Sequence, residues 1–501
     1  MIKLARLGGL FLIYALLSSC NSGAAETQTP TPMDATTLLA STPTSSPTDS
    51  PAERADIIFH NGAVITLEES LPVAEAIAIQ GELILAVGTD EEILRLQGAE
   101  TVLIDLQGHA LMPGFIDGHT HILAFPDRMG RTMDQAQDVA LRYGFTTLNE
   151  MWANDDFIAT LTQAESQGTL RLRVNVFASY NDGVLNEDHQ KVFLMAWYPE
   201  NDPILDPHRR LRIPGIKIFV DGDNFRPARG CWAFNEPLPP DAGAITSGVC
   251  GTNKGDLYWG QDELNAVVSQ AQEAGFRVAF HSMGEAAIET SLNAIEFALD
   301  GQPNEQYRHQ IEHNSMIRPD LIARYAELNV PASVRGFGDF CNLQDFAHSF
   351  GTERANWYAN RYALPGLDIH AYVETDFGWT TDPDDRFSQR GTDPIMQLYG
   401  LVTHNLEGPD GVICGPDPIA ARYVIGVDRA LRMLTIDPAY AVSMEDYIGT
   451  LMPGKYADLV ILSASPLVVA PEELKDLLVW LTMVGGNVEY CAPGSEAFCP
   501  Q

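Results

Sequence analysis

Residues 111–122, LMPGFIDGHTHI, take an apolar run into Asp117, Gly118, His119, Thr120 and His121. Two residues apart on a strand, His119 and His121 project from one face. Two neutral imidazoles at a strand end make half of a metal site. Other apolar runs carry similar groups. His281 lies in VAFHSMG, His313 in HQIEHNS, Asp376 in VETDFG and Lys217 in GIKIF. Each alone fits a bland role: a packed histidine, a capping aspartate, a rim lysine. Together they put four histidines, one aspartate and one lysine in or at the ends of five strand-like runs, and imidazole plus hard oxygen donors suit zinc or a similar divalent ion.

Eight runs have the texture of strands: the one ending at 121, then 144–151, 172–180, 215–222, 277–284, 309–316, 330–337 and 369–378. Helical patterns such as QDELNAVVSQAQEAG and RPDLIARYAELN lie between several of them. Alternation of this kind predicts an α/β protein whose centre, residues 114–445, is a (β/α)8 TIM-type barrel, with chemistry at the C-terminal ends of its strands. Short strands with Asn-Gly, Gly-Glu and Gln-Gly turns fill 54–113, and 446–501 has the same texture. They predict one small β-sandwich domain built from both ends of the folded chain.

The motifs resemble the amidohydrolase superfamily of metal-dependent hydrolases, most closely amidohydrolase family 3. The resemblance rests on LMPGFIDGHTHI, GIKIFVDGD, VAFHSMGEAAI, YRHQIEHNSM, TDFG and the C-terminal LTIDPAYAV…IGTLMPGKYADLVIL, and runs from about 55 to 467. It implies that His119, His121 and Asp376 bind one metal, that His281 and His313 bind a second, and that a carboxylated Lys217 bridges the two. It also implies that Asp376 carries the proton from water to the leaving nitrogen, with Asp117 in support. The implied cofactors are two divalent ions, zinc above all. The implied reaction is hydrolysis of a C–N bond in a small amide, carbamate or cyclic amide. A mononuclear, deaminase-type enzyme and a catalytically inactive ligand-binding lipoprotein of the same fold stay open.

Two departures bear on the substrate. The segment after the fifth strand carries Glu285 and Ala286 where the family has Asp and then Arg. The long family insert between the first two strands is missing, leaving 22 residues between His121 and Gly144. A long loop after the fourth strand makes Arg226, Arg229, Trp232 and Phe234 possible substrate contacts, and Glu150 at the end of the second strand another.

At the N-terminus, Lys3 and Arg6 precede the apolar LGGLFLIYALLSS, too short for a comfortable membrane span, and LLSSC resembles a bacterial lipobox ending in Cys20. Residues 1–20 therefore read as a lipoprotein signal peptide, and the Ser-, Thr- and Pro-rich 21–53 as an extended tether. This predicts an exported protein whose only membrane contact is the lipid anchor, on the outer face of a bacterial membrane or otherwise periplasmic or extracellular. Six cysteines remain, and an exported protein can pair them. Sequence proximity suggests Cys491–Cys499 and Cys231–Cys250, leaving Cys341–Cys414. The formal net charge of −36 argues against a nucleic-acid partner and leaves a small molecule.

Overall fold

The computed structural model describes residues 54–222, 231–247, 250, 252–336, 343–378, 391–407, 412–415 and 420–499. Eight strands form one parallel sheet in chain order. They are β1 (Phe115–Thr120), β2 (Phe145–Glu150), β3 (Arg173–Ser179), β4 (Leu211–Phe219), β5 (Arg277–Ser282), β6 (Gln310–His313), β7 (Ala332–Val334) and β8 (Ala371–Val373). The anticipated eight runs each hold one strand. β4 starts earlier than expected, at Leu211, because Leu211 and Arg212 pair with Val174 and Asn175 of β3. Every residue of these strands is buried, as happens when helices cover one face of a parallel sheet and the barrel interior the other. That is why they read as unbroken apolar runs rather than alternating ones.

The covering helices start at side-chain caps where the sequence supplies them. Thr132 and Gln135 form a reciprocal capping box for the helix Met133–Arg142, and Asn154 caps Asp155–Ser166. Both helices carry acidic residues in their first turn, which suits the positive end of the helix dipole. The anticipated helical segments appear as Gln261–Glu273 and Pro319–Glu327.

β1 and β8 are joined through backbone bonds at the barrel mouth. The His119 carbonyl accepts from the Asp376 N–H at 2.9 Å and the Thr375 N–H at 3.2 Å, and the His121 N–H donates to the Phe377 carbonyl at 2.7 Å. Two glycines permit this approach. A Cβ on Gly118 would lie 2.3 Å from the Tyr372 ring and 2.6 Å from the Val373 carbonyl oxygen. Gly378 has φ +106°, and a Cβ there would lie 2.3 Å from the His121 carbonyl oxygen.

A second, all-β layer pair precedes and follows the barrel in sequence. Its six-stranded sheet takes Val73–Ala74, Ala63–Ile65 and Ala110–Pro113 from one end of the chain and Leu459–Leu462, Val479–Val484 and Asn487–Cys491 from the other. Ala110–Pro113 pairs antiparallel with Leu459–Leu462, so the two ends share one sheet. A four-stranded sheet packs on it, with Phe59, Ile77 and Ile79 meeting Leu111, Ile461, Leu481 and Met483 in one apolar cluster. Only Gly114 separates Ala110–Pro113 from β1. A buried ion pair also ties the layers, with Arg173 of β3 donating to both oxygens of Asp458 at 2.7 and 3.2 Å. Among the described residues no helix is long and apolar enough to cross a membrane.

The seam yields a stability prediction. Gly118→Ala should destabilise the protein by about 1–3 kcal/mol, the range for overpacking a filled interior, and lower its metal content. Gly366→Ala, with open space around the new methyl, should do neither. Thermal melts and metal analysis on both variants check this.

Candidate metal centre

The seam brings three donor groups together. His119 Nε2 and His121 Nε2 are 3.3 Å apart. Asp376 Oδ1 lies 3.3 Å from His121 Nε2 and 3.7 Å from His119 Nε2. Donors about 2.0–2.1 Å from a tetrahedral zinc stand ~3.3–3.4 Å from one another, so this triangle has the size of a first coordination shell. The His313 ring lies 4.6 Å from that of His119, and His281 lies 4.6 Å from His313. The four histidines thus form one continuous patch. His119, His121 and Asp376 form one group of potential ligands within 4.8 Å, and His119, His313 and Glu374 another.

The protonation states suit cation binding. Burial, then the charge of Lys217 and the neighbouring imidazoles, holds His119 well below its ordinary value. Burial likewise brings His121 down to about 4. Both rings are neutral at pH 7 and have lone pairs to offer. Lys217 on β4 is completely buried, and its Nζ has no hydrogen-bond partner among the described residues. Burial pushes its pKa down to about 8. A buried ammonium without an acceptor is costly, and Glu150 Oε2, His281 Nε2 and Asp376 Oδ1 are likewise buried without a hydrogen-bond partner among the described residues.

Two carboxylates that the motif reading passed over orient the histidines. Glu312 Oε2 lies 2.8 Å from His119 Nδ1, and Glu374 Oε2 lies 3.1 Å from His313 Nδ1. A carboxylate on Nδ1 favours the tautomer that leaves Nε2 as the donor atom. Glu312 is itself held by Tyr372 Oη at 2.5 Å and Gln310 Nε2 at 2.9 Å, and Glu374 by Ser333 Oγ at 2.5 Å. Asp221, two residues past β4, accepts the backbone N–H groups of Ala233, Met283 and Gly284 at 2.8–3.0 Å. It thereby fixes the turn after His281 and the start of the overhanging loop. His313 and Asp376 both have positive φ, 71° and 54°, a backbone strain that concentrates at functional sites.

The remaining anticipated residues sit as follows. Asp117 accepts from Thr375 Oγ1 at 2.5 Å and from the Thr375 and His119 N–H groups, so it braces the seam. Glu150 is fully buried and accepts the Leu123 N–H at 2.6 Å. Through Oε1 it supports the chain just past His121, while Oε2 has no hydrogen-bond partner among the described residues. Trp232 and Phe234 are buried too. Trp232 stacks on Phe350 at 5.0 Å and 7°, and Phe234 meets the same ring at 5.8 Å. This packing accounts for both rings. Arg226, Arg229 and Cys20 lie outside the described residues.

Cys231–Cys250 and Cys491–Cys499 are both disulfides, the first tying down the loop after β4. The Cys341–Cys414 pairing lies outside what is described. Glu285, the departure from the family pattern, accepts the Asn235 N–H at 3.0 Å, and the Ala286 N–H bonds the Ala233 carbonyl. The Glu285 side chain and the Ala286 backbone hold the loop against the helix that follows β5.

A family model described as the amidohydrolase family, branch 3, matches residues 124–490. The chain belongs to the amidohydrolase family. Imidazolonepropionase of Symbiobacterium thermophilum is 38% identical over 77% of this chain and 83% of its own length. N-substituted formamide deformylase of Arthrobacter pascens is 26% identical over 59% of this chain, which spans about half (49%) of the deformylase. Among solved structures, an uncharacterised metal-dependent hydrolase of Pyrococcus furiosus covers 82% of this chain and 99% of its own, at TM-score 0.61 and 21% identity. That likeness bears on the fold. The family is one of metal-dependent hydrolases of carbon–nitrogen bonds other than peptide bonds, and this amidohydrolase carries the His, Asp and Glu groups such a metal needs.

If Glu312 and Glu374 orient their histidines as the distances indicate, Glu312→Gln and Glu374→Gln should each weaken metal binding about 10–100-fold. Competition titration against a chelating dye reads this directly.

Proposed function

We propose that this amidohydrolase hydrolyses a C–N bond of a small molecule, an amide, carbamate or cyclic amide, using two divalent cations, zinc first among them. The observation that carries the reading is the triangle of His119, His121 and Asp376 beside the unpartnered, buried Lys217 Nζ. His119, His121 and Asp376 would hold one ion and His281 and His313 the other, with Lys217 between them as a carbamate. Carboxylation turns the awkward ammonium into an oxygen donor, which accounts for a lysine buried among ligands. The ions, when bound, supply an activated water and polarise the scissile carbonyl.

The chain's own residues do the rest. Asp376 Oδ1 faces the imidazoles, where it can take a proton from the attacking water and return it to the leaving nitrogen. Glu312 and Glu374 keep His119 and His313 in the tautomers that bind. The loop after β4, pinned by Cys231–Cys250 and by Asp221, lies over the β5 turn beside the centre. The names of the relatives, a formamide deformylase and an imidazolonepropionase, agree with an open-chain or cyclic amide. We also propose that the protein is exported and lipid-anchored through Cys20, with 21–53 as tether. The supporting observations are the lipobox-like LLSSC and the two disulfides.

Protein purified without chelator should carry close to two divalent ions per chain. Lys217→Ala should fall below two, and His281→Ala should lose any measurable hydrolysis. One ion in the wild type would favour the deaminase-type reading, with Lys217 structural. No ion, even after metal is added back, would reject the hydrolase.

A further inference from the structure

We propose that Arg335 anchors an anionic group of the substrate, so that the preferred substrates are amides or cyclic amides bearing a carboxylate close to the scissile C–N bond. This rests on the hydrolase reading above and narrows its substrate class. Arg335 directly follows β7, at the end of the barrel where the metal centre lies. Its Nη2 is 3.0 Å from Asp376 Oδ2, while Asp376 Oδ1 faces the two imidazoles. The proton-carrying carboxylate therefore has the metal ligands on one side and this guanidinium on the other. A substrate whose bond is broken beside Asp376 has Arg335 as its neighbour.

Accessibility separates Arg335 from the rest of the centre. Its side chain is 30% exposed, against 18% for Asp376, 7% or less for His119, His121, His281 and His313, and 2% for Glu374. It is the charged group of the centre that solvent, and hence an arriving molecule, reaches most readily. The backbone beneath it is fixed: Gly336 N–H donates to Gln397 Oε1 at 2.6 Å, and Val334 pairs with Val373 of β8. An arginine on a rigid base, always charged and with a planar fork of donors, is the side chain best suited to a carboxylate.

The chain's charge of −36 does not attract anions from a distance. That field is screened beyond about 8–10 Å at ordinary ionic strength, so an anionic substrate needs a local cation. The rival role for Arg335 is to hold Asp376 in place. It predicts a loss of turnover that does not depend on the substrate's charge.

The test uses metal-loaded protein and a set of N-formyl and N-acetyl amino acids, each as free carboxylate and as the matching carboxamide. Binding is followed by calorimetry and hydrolysis by amine release. Arg335→Met and Arg335→Lys are compared with wild type, with metal content and melting temperature measured on each. In the wild type the carboxylate members should bind at least ~10-fold more tightly than their carboxamides, a gap within reach of one charged hydrogen-bonded contact. Arg335→Met should abolish most of that gap, through KM where turnover is seen, and Arg335→Lys should keep part of it. A wild type with no preference for carboxylates overturns the proposal, as does a preference that survives Arg335→Met. Equal losses on both members, carried by kcat, overturn it in favour of the positioning role. Metal content near zero would reject the hydrolase reading instead, and calorimetry keeps the two failures apart because it needs no turnover.

Discussion

The site depends on the join between the first and last barrel strands. One carbonyl, that of His119, receives the N–H groups of Thr375 and Asp376, and the next accessible N–H, that of His121, goes to Phe377. Backbone hydrogen bonds allow only a few tenths of an ångström of play. The distance between the His-x-His pair and Asp376 is therefore set by the backbone and not by side-chain choice. Asp117 braces the same seam from within β1, and Gly118 and Gly378 leave out the Cβ atoms that would wedge it open. The β-sandwich contributes at the far end: its strand Ala110–Pro113 runs almost directly into β1, so the sheet formed by the two chain ends fixes where the first ligand strand starts.

Around that seam the protein buries Glu312, Glu374, Asp117, Asp221 and Glu150, and the cations at the centre among the described residues are Lys217 and Arg335. Removing even one carboxylate from water costs several kcal/mol unless it is paired and hydrogen-bonded. Some of these groups are paid for locally: Asp221 has three backbone donors, Asp117 has Thr375, and Glu150 has the Leu123 N–H. Glu312 leans on His119, which burial keeps neutral, and on Tyr372 and Gln310, while Glu374 has Ser333, His313 and Arg335 beside it. Burial pushes Asp117 and Asp221 up to about 7 and raises Glu150 and Glu312, so a cation at the mouth would favour their ionised forms.

Much of this was legible in the sequence because parallel strands end where their apolar runs end. His119, His121, Lys217, His281, His313 and Asp376 each stand at or near such an end. Glu374 could have been found by the same rule, since it lies two residues before Asp376 and period-two spacing puts both on one face. Glu312 could not. Adjacent to His313, it should point the other way, and both serve the site because β6 terminates at His313 in a left-handed turn that no propensity announces. For Glu150 the place at a strand end was visible, but not the Leu123 N–H that takes its Oε1. Trp232 and Phe234 looked like pocket residues by composition, and only packing against Phe350, more than a hundred residues later, gives them another role.

The short connection between β1 and β2 has consequences for the whole mouth. Residues 122–143 hold only the turn Pro126–Met129 and the helix Met133–Arg142, which leaves no length for a pocket-forming insert. The loop after β4 is secured at several points: the Cys231–Cys250 bond, Asp221 reaching Ala233, Glu285 reaching Asn235, and Ala233 bonding Ala286. Several of these anchors run to the turn after β5, next to His281. A loop fastened to that turn cannot shift without disturbing His281. The same loop also packs on the segment that follows β7, where Trp232 stacks on Phe350, so its position is set from the β5 turn and from that segment together.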